Sequence, residues 1–160
     1  MILIAYDGSD DAKAAIEHAA RLFPGERVTV LTVWQHFIDT MARVGGGITM
    51  AFDYQEIDAE AAKGAHDWAQ EGAGLAREAG LDAEPQTAAV DSSVADAILV
   101  AADAVGASAV VCGSRGYTGV KSLMLGSVSH HVLQHADLPV VVVPSPAVAR
   151  ARAEHRESLR

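Results

Sequence analysis

The chain has a single cysteine, Cys112. One thiol cannot close an intramolecular disulfide, so the expected setting is reducing and cytoplasmic. Aromatic residues are scarce, at 5%, so the core must be built from aliphatic and small side chains. Basic residues are few: Lys plus Arg is 12 against 21 Asp plus Glu, for a net charge of -9. That balance argues against a general nucleic-acid binder, whose footprint is basic. It leaves room for a small anionic ligand, because one loop can oppose the global sign. No stretch approaches the about 18 apolar residues of a membrane span. Residues 1–7 carry no basic segment, and their apolar run is too short for a signal peptide. The expectation is a protein with no nucleic-acid and no membrane partner.

What is present is a chain of 160 residues, half of them hydrophobic. That length suits one domain, able to bury roughly 70% of its unfolded surface. Apolar runs and turn clusters alternate along it. Residues 2–6 form a short strand that stops at Asp7-Gly8-Ser9, where Ser9, Asp10 or Asp11 can cap the next helix. Ala12, Ala15, Ile16, Ala19, Ala20 and Phe23 recur at helical spacing until Pro24-Gly25. Residues 28–34 are a buried strand. Residues 35–55 read as an irregular loop around Gly45-Gly46-Gly47.

A helical stripe follows through Ile57, Ala61, Ala65, Trp68, Gly72, Leu75 and Ala79, with Trp68 read as core. Residues 84–90 form a more polar strand near an edge. Asp91-Ser92-Ser93 can cap a third helix through Val94, Ile98 and Val105. Residues 109–112 are a buried strand, and a fourth helix opens at Gly126-Ser127 and runs to about Ala136. The last strand lies between Pro139 and Pro144, at positions strands tolerate. Residues 147–160 read as a polar tail or short exposed helix with Arg150, Arg152, Arg156 and Arg160.

This alternation predicts an α/β fold: a Rossmann-like, doubly wound parallel sheet with helices on both faces. Ligands in such sheets bind beyond the carboxyl ends of the strands. The informative loop is therefore the one after Cys112. It reads Gly113-Ser-Arg-Gly116, nine residues, then Gly126-Ser127-Val128-Ser129. Its glycines let backbone N–H groups approach a ligand, and the helix opening at Gly126 turns free N–H groups and a positive dipole end to the same crevice. The hydroxyls of Ser127 and Ser129 can add donors. Between Glu78 and Ala149 the only Lys or Arg residues are Arg115 and Lys121, both in this loop. A phosphate cradle is the functional reading; a tight turn with a capped helix is the bland one. Walker A fails because Lys121 follows Val120, and the dinucleotide fingerprint fails because the first strand is followed only by Gly8.

The pattern Gly-x2-Gly-x9-Gly-Ser, here Gly113, Gly116, Gly126 and Ser127, resembles the ATP-binding motif of the universal stress protein family. The opening Ile-Ala-Tyr-Asp7-Gly8-Ser9 and the closing Leu138-Pro-Val-Val-Val-Val-Pro144 resemble the same family. The resemblance implies a five-stranded sheet in order 3-2-1-4-5, within a domain over 1–146 that the tail 147–160 follows. It implies Asp7 beside ribose, adenine or a metal, and Val33 meeting adenine through its backbone. Gly113, Arg115 and Gly116 would line ribose and phosphates. Gly126, Ser127, Val128 and Ser129 would complete the phosphate site. The implied cofactor is ATP, with AMP or cyclic AMP as alternatives and Mg²⁺ as a companion. The implied role is a stress-response regulator with at most slow ATP hydrolysis. The runner-up is a nucleotide-independent interaction or chaperone-like module of the same fold.

The resemblance also implies a homodimer through Val140–Val143, which that strand order leaves at an edge open to pairing. Sequence signatures of catalysis are absent: there is no Gly-x-Ser-x-Gly elbow and no local Ser/His/Asp or Cys/His arrangement. His131 and His135, four apart, read as solvated or packed in preference to metal ligands. Cys112 reads as a buried, inert thiol.

Overall fold

A computed structural model describes residues 1–44, 54–90, 92–116 and 125–160. The elements in chain order are β1 (Ile2–Ala5), α1 (Asp10–Leu22), β2 (Arg27–Gln35), α2 (Phe37–Val44), α3 (Tyr54–Glu78), β3 (Asp82–Val90), α4 (Val94–Ala104), β4 (Ala109–Gly113), α5 (Ser127–His135), β5 (Val140–Val143) and α6 (Pro146–Ser158). The five strands form one sheet in the order β3-β2-β1-β4-β5. Every neighbouring pair is parallel. The fold and strand order are those expected.

Alternation along the strands sorts the core into two layers. Ile2, Ile4, Tyr6, Val28, Val30 and Val111 face α1 and α3. Leu3, Leu31 and Val110 face α4 and α5. The helices meet the sheet through small residues. α1 buries Ala12, Ala15 and Ala19, and α3 buries Ala65, Ala69, Gly72, Ala73 and Ala76. A β-carbon on Gly72 would lie 2.8 Å from both the Tyr6 ring and Val30, so α3 lies against the sheet only because position 72 is bare. α3 ends where Gly80 takes φ +92, a left-handed turn that glycine adopts without steric cost. β3 is the edge strand the sequence suggests, and its Pro85, which lacks an N–H, is tolerated there. Residues 146–158 form an exposed helix, started by Pro146 and capped by Ser145.

Two expectations are corrected. The stretch 35–55 is not wholly irregular: β2 runs to Gln35, α2 spans Phe37–Val44, and α3 begins at Tyr54. The start of α2 is held from a distance. The Asp58 carboxylate accepts from the Phe37 N–H at 2.8 Å and meets His36 Nδ1 at 2.7 Å. These bonds, with the backbone N–H the largest cause, hold the Asp58 carboxyl below its ordinary range. Trp68 is not core, because it is 39% exposed; α3 there passes over the β1–α1 turn instead of the sheet. The triple glycine 45–47 and the cap at Asp91 lie outside the described residues.

Cys112 is buried in β4, and burial pushes its thiol up to about 11. His131 Nε2 lies 3.2 Å from Asp96 Oδ1, and its ring sits 4.3 Å from that of His135. His131 thus links α5 to α4, while His135 is exposed. No helix among the described residues is long and apolar enough to cross a membrane.

The end of β4 shows how tightly the layers meet. A β-carbon on Gly113 would lie 2.8 Å from the Asp11 carbonyl carbon and 3.0 Å from the Ala12 nitrogen. Backbone cannot yield as a side chain does. Gly113→Ala is therefore expected to push α1 from the sheet and cost about 1–3 kcal/mol. Thermal unfolding would read this as a fall in Tm of roughly 2–12 °C; an unchanged Tm would refute the close contact.

Candidate functional site

The site begins where β1 stops. The Tyr6 N–H makes the last strand bond, to the Leu31 carbonyl at 2.8 Å. The Tyr6 hydroxyl donates to Glu71 Oε1 at 2.7 Å, and burial together with that carboxylate raises the phenol's pKa well above its ordinary value. Gly8 then turns the chain with φ +77. Asp7 Oδ1 accepts from the Ser9 N–H at 3.1 Å, an Asx turn. The Ser9 hydroxyl caps α1 by accepting from the Ala12 N–H at 3.2 Å.

The second wall is the turn after β4. Ser114 is fully buried. Its N–H reaches the Val143 carbonyl at 2.7 Å and its hydroxyl donates to Asp11 Oδ2, also at 2.7 Å. Its carbonyl accepts twice, from the Gly126 N–H at 2.8 Å and from the Ser129 hydroxyl at 3.0 Å. The chain that leaves at Ser114 therefore returns to the same point at Gly126. A β-carbon on Gly126 would lie 3.4 Å from the Arg115 Cα and the Ser114 oxygen, an ordinary contact, so the crossing leaves room for a side chain there. Sequence reasoning passed over Ser114. Its signal was present: a small hydroxyl residue directly after a buried strand, between two glycines.

α5 starts at this crossing and differs from its neighbours. Ser9, Ser93 and Ser145 cap α1, α4 and α6 through their side chains, whereas Gly126 at the head of α5 makes no side-chain cap bond. Nor does the first turn of α5 contain an acidic residue, unlike those of α1 to α4. Its dipole and its first amides, on Ser127, Val128 and Ser129, are thus not compensated by the protein's own carboxylates within the turn. A helix N-terminus of this kind has the donors and the dipole that suit an anion.

The structure brings together most of the expected site residues. Asp7 meets Gly116, where a β-carbon would lie 2.7 Å from Asp7 Oδ2. Arg115 adjoins Gly126, and Ser129 joins Ser114 to the Gly126 carbonyl at 3.1 Å. Ser127 is exposed at the head of α5 and Val128 is half-buried against the α4 layer. Two side chains are oriented otherwise than the cradle suggested. The Ser129 hydroxyl donates inward to carbonyls, which leaves its N–H as the group available for a phosphate. Arg115 Nε lies 3.9 Å from Oδ2 of Asp11, a carboxylate 5% exposed, so part of its charge is opposed from beneath. Gly113 has a packing role against α1. Lys121 and Gly119 lie outside the described residues.

Val33 stands on the neighbouring strand. The Leu31 carbonyl points at β1, where it receives Tyr6 N–H. With a strand period of two, Val33 turns its N–H and C=O to the same side. The last β1–β2 pair is Ala5↔Leu31, so this edge of Val33 lies beyond β1 and faces the mouth of the crevice. Thr32 secures the corner by donating to the Tyr6 carbonyl at 2.9 Å.

The contact between Asp7 and Gly116 gives a test that separates site from fold. Among the described residues, the group that Gly116→Ala would displace is the end of the Asp7 carboxylate, a side chain and not backbone. Its Tm is expected to stay within about 2 °C of the parent, a shift worth under ~1 kcal/mol, while the Asp7 carboxyl resonance shifts in NMR. A large loss of stability would show that Gly116 is a packing residue like Gly113.

The comparisons with known proteins agree with this architecture. Residues 1–144 match the profile of the universal stress protein family. Universal stress protein YxiE of Bacillus subtilis is 33% identical over 145 residues, covering 89% of this chain and 97% of that protein. A universal stress protein of Thermus aquaticus is 33% identical over 144 residues, covering 89% and 96%. Among solved structures, the universal stress protein from Archaeoglobus fulgidus in complex with dAMP is 27% identical, with a TM-score of 0.55, covering 89% of this chain and 95% of that one. By sequence and by fold, the chain belongs to the universal stress protein family.

Proposed function

We propose that this protein binds an adenine nucleotide at the carboxyl end of its sheet and acts as a stress-response regulator with at most slow ATP hydrolysis. The observation that carries the reading is the head of α5, which has no side-chain cap and no acidic residue in its first turn. It opens beside Asp7 and Gly116 in the crevice where doubly wound folds hold ligands. The dAMP complex of the Archaeoglobus fulgidus relative supports a nucleotide as occupant. In this reading the phosphates cap α5 through the amides of Ser127, Val128 and Ser129. Gly113, Arg115, Gly116 and Gly126 line their approach. Asp7 meets the ribose, and the backbone edge of Val33 meets the base. Among the described residues no group of three or more His, Cys, Asp or Glu side chains could hold a metal ion. A Mg²⁺ would therefore enter on the nucleotide's phosphates, with Asp7 as the carboxylate at the crevice.

Binding without fast turnover follows from the same groups. They are backbone donors and a dipole, which hold charge in place. The Asp7 carboxylate is given to the ribose in this reading, and no other described residue is assigned as a general base for water.

The test uses Gly126→Asp. Aspartate is a good helix cap, so the variant should fold with an equal or higher Tm. Its carboxylate would occupy the phosphate position. By calorimetry the parent is expected to bind ATP or AMP with micromolar Kd, about -8 kcal/mol, and the variant at least 100-fold more weakly. Equal affinity in the two would contradict the reading. No binding by the parent would favour the nucleotide-independent interaction module.

We also propose a homodimer through β5. That strand ends the sheet, pairs only with β4, and consists of four valines. An uncharged edge of this kind is a pairing surface. Sedimentation equilibrium should give a dimer for the parent and a monomer for Val142→Lys. A monomeric parent would contradict the proposal.

A further inference from the structure

The helix α3 grips the residues on either side of Asp7 at three points within one turn. Glu71 accepts the Tyr6 hydroxyl at 2.7 Å. Gly72 makes room for the Tyr6 ring, which a β-carbon there would meet at 2.8 Å. Trp68 lies over Gly8, where a β-carbon would sit 3.6–3.7 Å from three atoms of the indole. Tyr6 and Gly8 flank the residue whose carboxylate abuts Gly116. The first two contacts fix Tyr6. Only the third reaches the far side of Asp7.

The composition of α3 makes Trp68 conspicuous. The helix buries alanine and glycine almost throughout, yet places one of the chain's two tryptophans at 39% exposure beyond the sheet. Aliphatic packing against the sheet does not explain a large flat ring there. The ring stands over a glycine in a left-handed turn, at the distance where a β-carbon on Gly8 would touch it in ordinary van der Waals contact. Gly8 has no side chain to anchor it, so the ring supplies the packing that the turn itself cannot.

We propose that Trp68 is a positioning residue of the nucleotide site: its indole clamps Gly8 and so holds the Asp7 carboxylate in register with Gly116. The inference deepens the nucleotide reading and rests on it only for its effect on affinity. The clamp itself is a property of the ligand-free protein. Trp68 acts through Gly8 and Asp7, and its effect on ligand must vanish when the Asp7 carboxylate is absent.

The experiment has two arms on the full chain, with Trp68→Ala and Trp68→Phe. The first is hydrogen exchange without ligand, read at the Ser9 amide that donates to Asp7 Oδ1. Trp68→Ala is expected to speed exchange there at least tenfold while β1 and β4 amides keep the parent rate, and Trp68→Phe to restore it within threefold. Unchanged exchange at Ser9, or a uniform rise across the sheet, would overturn the proposal. The second arm is AMP affinity. Trp68→Ala should weaken binding at least tenfold in the parent but less than twofold in an Asp7→Asn background; equal losses in both would overturn the route through Asp7. A parent that binds no AMP would end the nucleotide reading, and the exchange arm would still decide the clamp. Should Trp68→Ala not fold, Trp68→Leu keeps bulk without the flat ring and is read in the same way.

Discussion

The Ser114 carbonyl is the joint on which the site depends. It accepts the Gly126 N–H and the Ser129 hydroxyl together. Those two bonds fasten the head of α5 to the end of β4, whatever path the chain takes between them. The same residue ties β4 to β5 through its N–H and to α1 through the Asp11 carboxylate. Four elements, β4, β5, α1 and α5, thus converge on one small, fully buried serine. A larger residue would separate them. An apolar residue of the same size would leave the Asp11 carboxylate buried without its hydroxyl partner, a costly arrangement.

From that joint the chemistry follows in short steps. Position 126 lies beside the backbone of Ser114 and Arg115 and, being glycine, brings no side chain to cap α5. The helix begins with no side-chain cap bond and no acidic residue in its first turn. Opposite it, the β1–α1 turn presents Asp7 against Gly116. In the proposed reading this helix end and this carboxylate meet the two ends of one ligand, phosphate at the first and hydroxyls at the second. The overall charge of -9 does not oppose this, because the amides act within hydrogen-bond distance while distant surface charge is screened over about 8–10 Å.

Much of this was legible in the sequence because local rules governed it. Strand and helix alternation, the Ser9 and Ser93 caps and the edge position of β3 all follow from nearest-neighbour chemistry. The Gly113 to Gly126 motif could be read as a pattern, but the steric causes of two of its glycines are distant in sequence: the α1 backbone at Gly113 and the Asp7 carboxylate at Gly116. What was not legible depended on distant partners. α2 starts where it does because Asp58, 21 residues from Phe37, accepts its first N–H. Trp68 shares the spacing of core residues on α3, and only the tertiary placement of Gly8 beneath it shows why the ring is partly exposed. The Ser129 hydroxyl looked outward in a helix-start motif. It turns inward to the Ser114 and Gly126 carbonyls, each of which has a second lone pair beyond the one its backbone N–H partner uses.

The central claim is that the first amides of α5 hold a phosphate. It is tested most directly by titrating the ligand-free, ¹⁵N-labelled protein with AMP and following each backbone amide by NMR. The account predicts that the amides of Ser127, Val128 and Ser129 shift most, accompanied by Gly116, with one shared Kd. Saturable shifts confined to other surfaces, or none in the α5 turn at millimolar AMP, would contradict it.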